Sequence, residues 1–189
     1  SQYRACFVAP TGSKLNTSDY GGAELIVMAS HAQDFKLINL SKIDMHSHMA
    51  TLCWRNIYKA RAGNISKQLK KIVGGIKYAL EEEWEKYVKY GKEFIVTKSD
   101  PPGFRKAFKG MTFGTIYGMY SKKAGETLNV NKQEGQIVIN TIKAELPQTF
   151  AMVEAATLAA SKQGYVILNY RTNSRRWFPR LIAQLKNEI

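Results

Sequence analysis

The sequence has little cysteine, a shortage of acid and no long apolar run. Its two cysteines, Cys6 and Cys53, stand far apart and form no CxxC pair. That excludes the usual zinc-site and disulfide-framework patterns and points to a reduced, cytoplasmic compartment. No apolar stretch approaches the roughly 18 residues that suggest a transmembrane helix, so no membrane partner is expected. No apolar segment follows a basic start, so a secretory signal is not expected either. Internal repeats and low-complexity stretches are also missing. Acid is scarce: 15 Asp+Glu stand against 28 Lys+Arg, a net charge of +13. Such an excess points to a polyanionic partner, nucleic acid or nucleotide above all. The cations are spread, with 12 basic and 6 acidic residues from Arg61 to Gly110 and 10 basic and 5 acidic from Met111 onward. A spread of this kind suits a broad binding face better than a disordered arm.

What is present is a core-forming share of apolar residues, 44% of 189, enough for one domain or one large lobe. Ala5–Ala9 reads as a strand, Pro10–Ser13 as a hairpin turn and Lys14–Tyr20 as the return strand. Ala23–Ala32 reads as a short helix and Asp44–Ala60 as a longer one. Lys67–Lys92 is charged and amphipathic, with Glu81-Glu82-Glu83 ahead of Lys86 and Lys89, a pattern that supports an exposed helix. Pro101-Pro102 ends that segment. Helices are predicted over Phe104 to about Met119, Asn131–Leu146 and Phe150–Lys162, with Pro147 as a break. Gly164–Leu168 reads as a strand, followed by basic residues and a last short helix. The class is α+β with helix dominant.

The most informative stretch runs from Phe104 to Gly118. Arg105, Lys109, Phe113 and Tyr117 recur every fourth position, so a helix presents them along one face. Two cations followed by two rings match the layout of a nucleoside triphosphate. Arginine offers a planar fork of donors to phosphate, lysine a mobile point charge. An ordinary amphipathic helix, with its rings in the core, has the same spacing. Gly110, Gly114 and Gly118 tip the balance, because glycine costs about 1 kcal/mol inside a helix and suggests a surface passing close by.

This R-x3-K-x3-F-x3-Y-G stretch resembles motif B of the family A DNA polymerases, which lies on the O helix of the fingers. The resemblance implies that Arg105 and Lys109 hold the triphosphate, that Phe113 packs on the deoxyribose and that Tyr117 stacks near the templating base. Lys109 is also implied in catalysis, and Gly118 in contact with nucleic acid. Asp19, Tyr20, Glu24 and Leu25 resemble motif A of the same family. Asp19, with the Tyr20 carbonyl, then ligates catalytic magnesium (Mg2+), and Glu24 rejects a 2′-hydroxyl. Gly21, Gly22, Ala23 and Ile26 depart from the usual motif. Asp44-Met45-His46-Ser47 resembles the family's D-I-H-T, which brings His46 to the incoming triphosphate. His46 and His48 make a poor metal pair, since a spacing of two puts them on different helix faces.

Near the other end, Gly164-Tyr165-Val166 leads to Arg171, Arg175, Arg176 and Pro179, resembling the family's template- and primer-contacting element with a longer turn. Arg4 joins Arg171, Arg175 and Arg176 among the implied nucleic-acid contacts. The resemblance runs from Arg4 to about Leu181. It implies a partial palm over 1–50, fingers with an inserted helical segment over 51–146 and a return to the palm over 147–189. The stretch between Thr51 and Arg105 is longer than the family's usual, and structural cover for the fingers is its expected role.

The expected activity is template-directed DNA synthesis by a two-metal mechanism, on a DNA primer-template with deoxynucleoside triphosphates (dNTPs). No His-Asp-Glu occurs, so the family's second metal carboxylate is missing. The isolated chain is therefore not expected to polymerise, and a complementary polymerase chain is an expected partner. Its departures from the motifs point to a phage. Two other readings stand beside this one: a single-subunit RNA polymerase relative, and a non-catalytic nucleic-acid-binding module. Phe113 and Glu24 together favour deoxynucleotides over the first.

Overall fold

The computed structural model describes residues 8–16, 22–71, 76–99, 103–169 and 172–178. Residues 8–16 hold one turn, closed by Ser13 N–H donating to Pro10 O at 2.9 Å, as the Pro-Thr-Gly-Ser run predicts. Neither 8–10 nor 13–16 is a strand, and the rest of the predicted hairpin lies outside the described residues.

Helix α1 spans Ala23–Ala32, as predicted. It is followed by a short helix that the sequence reading missed, α2, Phe35–Ser41. Asp34 starts α2: its Oδ1 accepts from Leu37 N–H at 3.0 Å. Its Oδ2 accepts from the Thr149 hydroxyl and amide at 2.8 and 3.3 Å, so one buried carboxylate ties two helix starts together. Helix α3 spans Met45–Leu69 and α4 spans Ile76–Glu93.

The single helix predicted over Lys67–Lys92 is therefore two. Gly74-Gly75 stands between them, and two adjacent glycines cost about 2 kcal/mol inside a helix. Folding back instead buries an aromatic ladder. Tyr58 of α3 stacks on Tyr87 of α4 at 5.8 Å, Tyr90 and Phe94 sit 5.2 Å from Tyr58, and Trp54 meets Phe94 at 6.4 Å. Arg61 crosses the other way, to α7 (Lys132–Glu145), where it grips Glu134 through Nε at 2.6 Å and Nη2 at 3.2 Å. Glu134 also completes a capping box with Asn131, so that one carboxylate serves both a helix start and an interhelical ion pair.

Helix α5 spans Phe104–Ile116 and ends three residues short of the predicted Met119, because Gly118 adopts φ +89, a left-handed conformation that only glycine takes freely. A second missed helix, α6, spans Ser121–Leu128 and packs closely on α7. The approach is backbone to backbone: a Cβ on Gly135 would lie 2.7 Å from the Gly125 nitrogen. Helix α8 spans Pro147–Gln163. Pro147 begins it rather than breaking the chain, since a first-turn proline gives up an N–H that has no helical partner anyway.

Strand β1, Tyr165–Asn169, pairs antiparallel with β2, Ser174–Trp177. The basic run after the predicted strand is thus itself a strand. The palm sheet implied by the resemblance is not among the described residues, where this hairpin is the sheet present. The last predicted helix lies outside them. The core forms where α3, α5 and α7 meet, around Met49, Cys53, Ile57, Phe108, Met111 and Ile142. No helix among the described residues is long and apolar enough to cross a membrane.

Candidate nucleotide-binding face

Helix α5 buries one side and offers the other. Phe108, Met111, Thr112, Thr115 and Ile116 are buried, while Lys106, Lys109 and Gly110 are exposed. The sequence follows the 3.6-residue period here, so the buried set returns every three or four positions. Of the row read from the sequence, Arg105, Lys109 and Phe113 lie on the helix, and Tyr117 follows as its C-cap. Lys109 has no ion-pair partner among the described residues. Phe113 is half-buried against the core, so part of its ring belongs to the packing. Tyr117 is 68% exposed. The three glycines have separate causes: Gly110 faces open space, Gly114 is covered by the Met119 side chain, and Gly118 makes the turn. Gly110 and Gly118 have open space beside them, and Gly114 does not.

Two long-range contacts frame the row. At its far end the Tyr117 hydroxyl donates to Oε1 of Glu24, in the first turn of α1. That hydrogen bond pushes the Tyr117 hydroxyl up, with burial and the Glu24 charge adding to it. At the near end Arg105 Nε donates to Asp44 Oδ2 at 2.6 Å, and the Ser47 hydroxyl donates to the same oxygen at 2.6 Å. Burial works to raise the Asp44 carboxyl, but the hydrogen bonds from Arg105 and then Ser47 outweigh it and hold it at about 2.

His46 lies beside this pair. Burial lowers its pKa, the Arg105 and Lys109 charges lower it further, and the Asp44 charge partly opposes them. Its Nδ1 is buried without a partner among the described residues. His48 faces elsewhere: its Nε2 meets Glu145 Oε1 at 3.0 Å, and Lys36 holds the other carboxylate oxygen at 2.9 Å. The two histidines thus part as their spacing predicts.

Comparison with known proteins finds bacterial DNA polymerase I. DNA polymerase I of Pseudomonas aeruginosa is 27% identical over 164 residues, 86% of this chain and 14% of that protein. The thermostable DNA polymerase I of Thermus aquaticus is 24% identical over 184 residues, 97% of this chain and 17% of that protein. DNA polymerase I of Treponema pallidum is 22% identical over 163 residues. The chain is family A DNA polymerase-like. It spans about one-sixth or less of the length of these relatives. No protein-family model matches it. The relatives named are bacterial, so the phage source expected from the sequence is not shown by them.

Away from α5, this polymerase-like chain exposes a second face on the β hairpin. Tyr165 pairs with Trp177 across the strands, their rings 4.7 Å apart, and the Arg175 guanidinium lies 4.5 Å over the Tyr165 ring. Arg176 pairs with Val166 one register on, so it points to the opposite face. The sequence grouped Arg175 with Arg176; the hairpin separates them. Trp177 belongs to the run of cations interleaved with aromatics that the sequence offers for stacking, and Tyr165 lies in the strand that leads to it. Asp44 and Ser47 were missed as site residues as well. Asp19, Tyr20, Arg4 and Arg171 lie outside the described residues. Among the described residues no group of three His, Cys, Asp or Glu converges as a metal site.

Proposed function

We propose that this chain holds an incoming dNTP against a template, as the nucleotide-binding part of a template-directed DNA polymerase. The Tyr117–Glu24 hydrogen bond carries the reading. It joins two segments 93 positions apart, each of which resembles a separate motif of one polymerase family. Arg105 and Lys109 take the phosphates, with His46 beside them, while Phe113 meets the sugar and Tyr117 the templating base. Glu24, held at the sugar end by Tyr117, is the group that disfavours a 2′-hydroxyl. On the hairpin, Arg175, Tyr165 and Trp177 form a face suited to a phosphate and a stacked base. Arg4, Arg171, Arg176 and Gly118 remain further nucleic-acid contacts in this reading.

Magnesium belongs to the reading through Asp19 and Tyr20. The described donors do not assemble a metal site, so no step of phosphoryl transfer is derived from them. What the described residues do is bind and orient. Arginine and lysine supply charge-assisted hydrogen bonds where the triphosphate carries its negative charge.

The test is binding of labelled dTTP to the chain mixed with a primer-template that calls for T. Lys109→Ala and Arg105→Ala should each weaken it about ten-fold, equal to about 1.4 kcal/mol. Glu24→Ala should narrow the preference for dTTP over the matching ribonucleotide. Binding indifferent to Arg105 and Lys109, or a wild-type preference for the ribonucleotide, overturns the reading.

A further inference from the structure

Asp44 holds the N-cap position of α3, with φ −78 and ψ 83. Aspartate is favoured there because its carboxylate accepts from an amide of the first turn. Here the side chain makes no capping hydrogen bond. Its Oδ2 accepts instead from the Ser47 hydroxyl and from Arg105 Nε. The carboxylate is 13% exposed and the guanidinium 29%, so the pair is largely shielded from water. The arrangement uses one of the five N–H donors of the guanidinium. The four on the two Nη atoms have no acceptor among the described residues. The charges of Arg105 and of Lys109, one turn along α5, both act on the His46 ring.

A free arginine on a helix face spreads over many rotamers, and freezing it opposes ligand binding. Gripping Nε in advance removes part of that cost while leaving the fork that suits a phosphate. The Ser47 hydroxyl donates to the same Asp44 oxygen and so orients the carboxylate as well as the charge.

We propose that Asp44 is a positioning residue for nucleotide binding: through Nε it fixes the Arg105 guanidinium with its Nη donors left for the triphosphate. This rests on the nucleotide-binding reading of α5. The experiment is a double-mutant cycle on dTTP binding to the chain with primer-template. Asp44→Asn should weaken dTTP about ten-fold in the wild-type background and by less than about two-fold in Arg105→Ala. Binding of dTMP, which lacks the outer phosphates, should change little. Ser47→Ala, a milder substitution, should weaken dTTP about three-fold, again only while Arg105 is present.

Equal losses in both backgrounds overturn the proposal, because they are what a plain α3–α5 staple would cause. Tighter dTTP binding by Asp44→Asn overturns it too, since the carboxylate would then compete with phosphate for Arg105. Failure of the wild-type chain to bind dTTP overturns the nucleotide-binding reading and this role with it. Binding that occurs but ignores Asp44 overturns this role alone.

Discussion

Glu24 and Tyr117 meet across 93 positions of sequence, the Tyr117 hydroxyl donating to the Glu24 carboxylate. The contact joins the start of α1 to the end of α5. It also leaves the phenol harder to ionise, because the phenolate would lose its donor role beside a negative charge.

Glu24→Gln should therefore bring the Tyr117 hydroxyl back toward its ordinary value near 10. Ultraviolet titration of the wild type and of Glu24→Gln, each subtracted against Tyr117→Phe, isolates this one phenol. Identical Tyr117 titrations in the two backgrounds would show that the hydrogen bond does not persist in solution.

The Asp44–Arg105 pair makes acid the second probe. The folded carboxyl sits at about 2, below its ordinary 3.8. Its contribution is present above the ordinary value and is lost as pH falls from there through the folded value. The stability gap between wild type and Asp44→Asn should thus be about 1–2 kcal/mol at neutral pH and shrink below about pH 4. Urea unfolding at several pH values reads it. A gap that widens in acid contradicts the pairing.

His46 carries the same sign at a higher pH. Its folded pKa lies below the ordinary 6.5, so the unfolded chain binds the proton more readily. Stability should fall as pH drops through 6.5 and on through the folded value, and His46→Gln should flatten that slope. A triphosphate that neutralises Arg105 and Lys109 should raise His46 again, so near pH 6 the wild type should take up more protons, or release fewer, on binding dTTP than His46→Gln does, the terminal phosphate's own proton loss being common to both. Calorimetry in two buffers of different ionisation enthalpy measures the difference. Equal proton balances in the two proteins would argue against a triphosphate beside this ring.

Arg61→Ala should cost about 2–3 kcal/mol in urea unfolding, because it strands the Glu134 carboxylate, only 11% exposed, without its cation. Glu134→Gln added to Arg61→Ala should recover part of the loss by removing the stranded charge. Two independent, additive losses would mean that the ion pair couples nothing.

Much of the local architecture was legible beforehand. The bounds of α1 match the prediction, and α7 falls between Asn131 and Leu146, both of which prove to be its caps. Helical period, capping residues and glycine act over a few positions, so a linear reading recovers them. The short helices α2 and α6 escaped because seven or eight residues hold too few turns to display a period.

The order of motifs and the four-residue spacing of Arg105, Lys109, Phe113 and Tyr117 are properties of the chain alone, and with them the family likeness. Which partner each side chain meets was decided only in three dimensions. Period tells which face of a helix a residue shares, not what comes to cover that face. Asp44 reaching Arg105 across 61 positions, Glu24 reaching Tyr117, and the hairpin register that turns Arg175 and Arg176 to opposite faces all follow from packing. The sum of helix, turn and core contacts selects that packing, and no single stretch of sequence contains it.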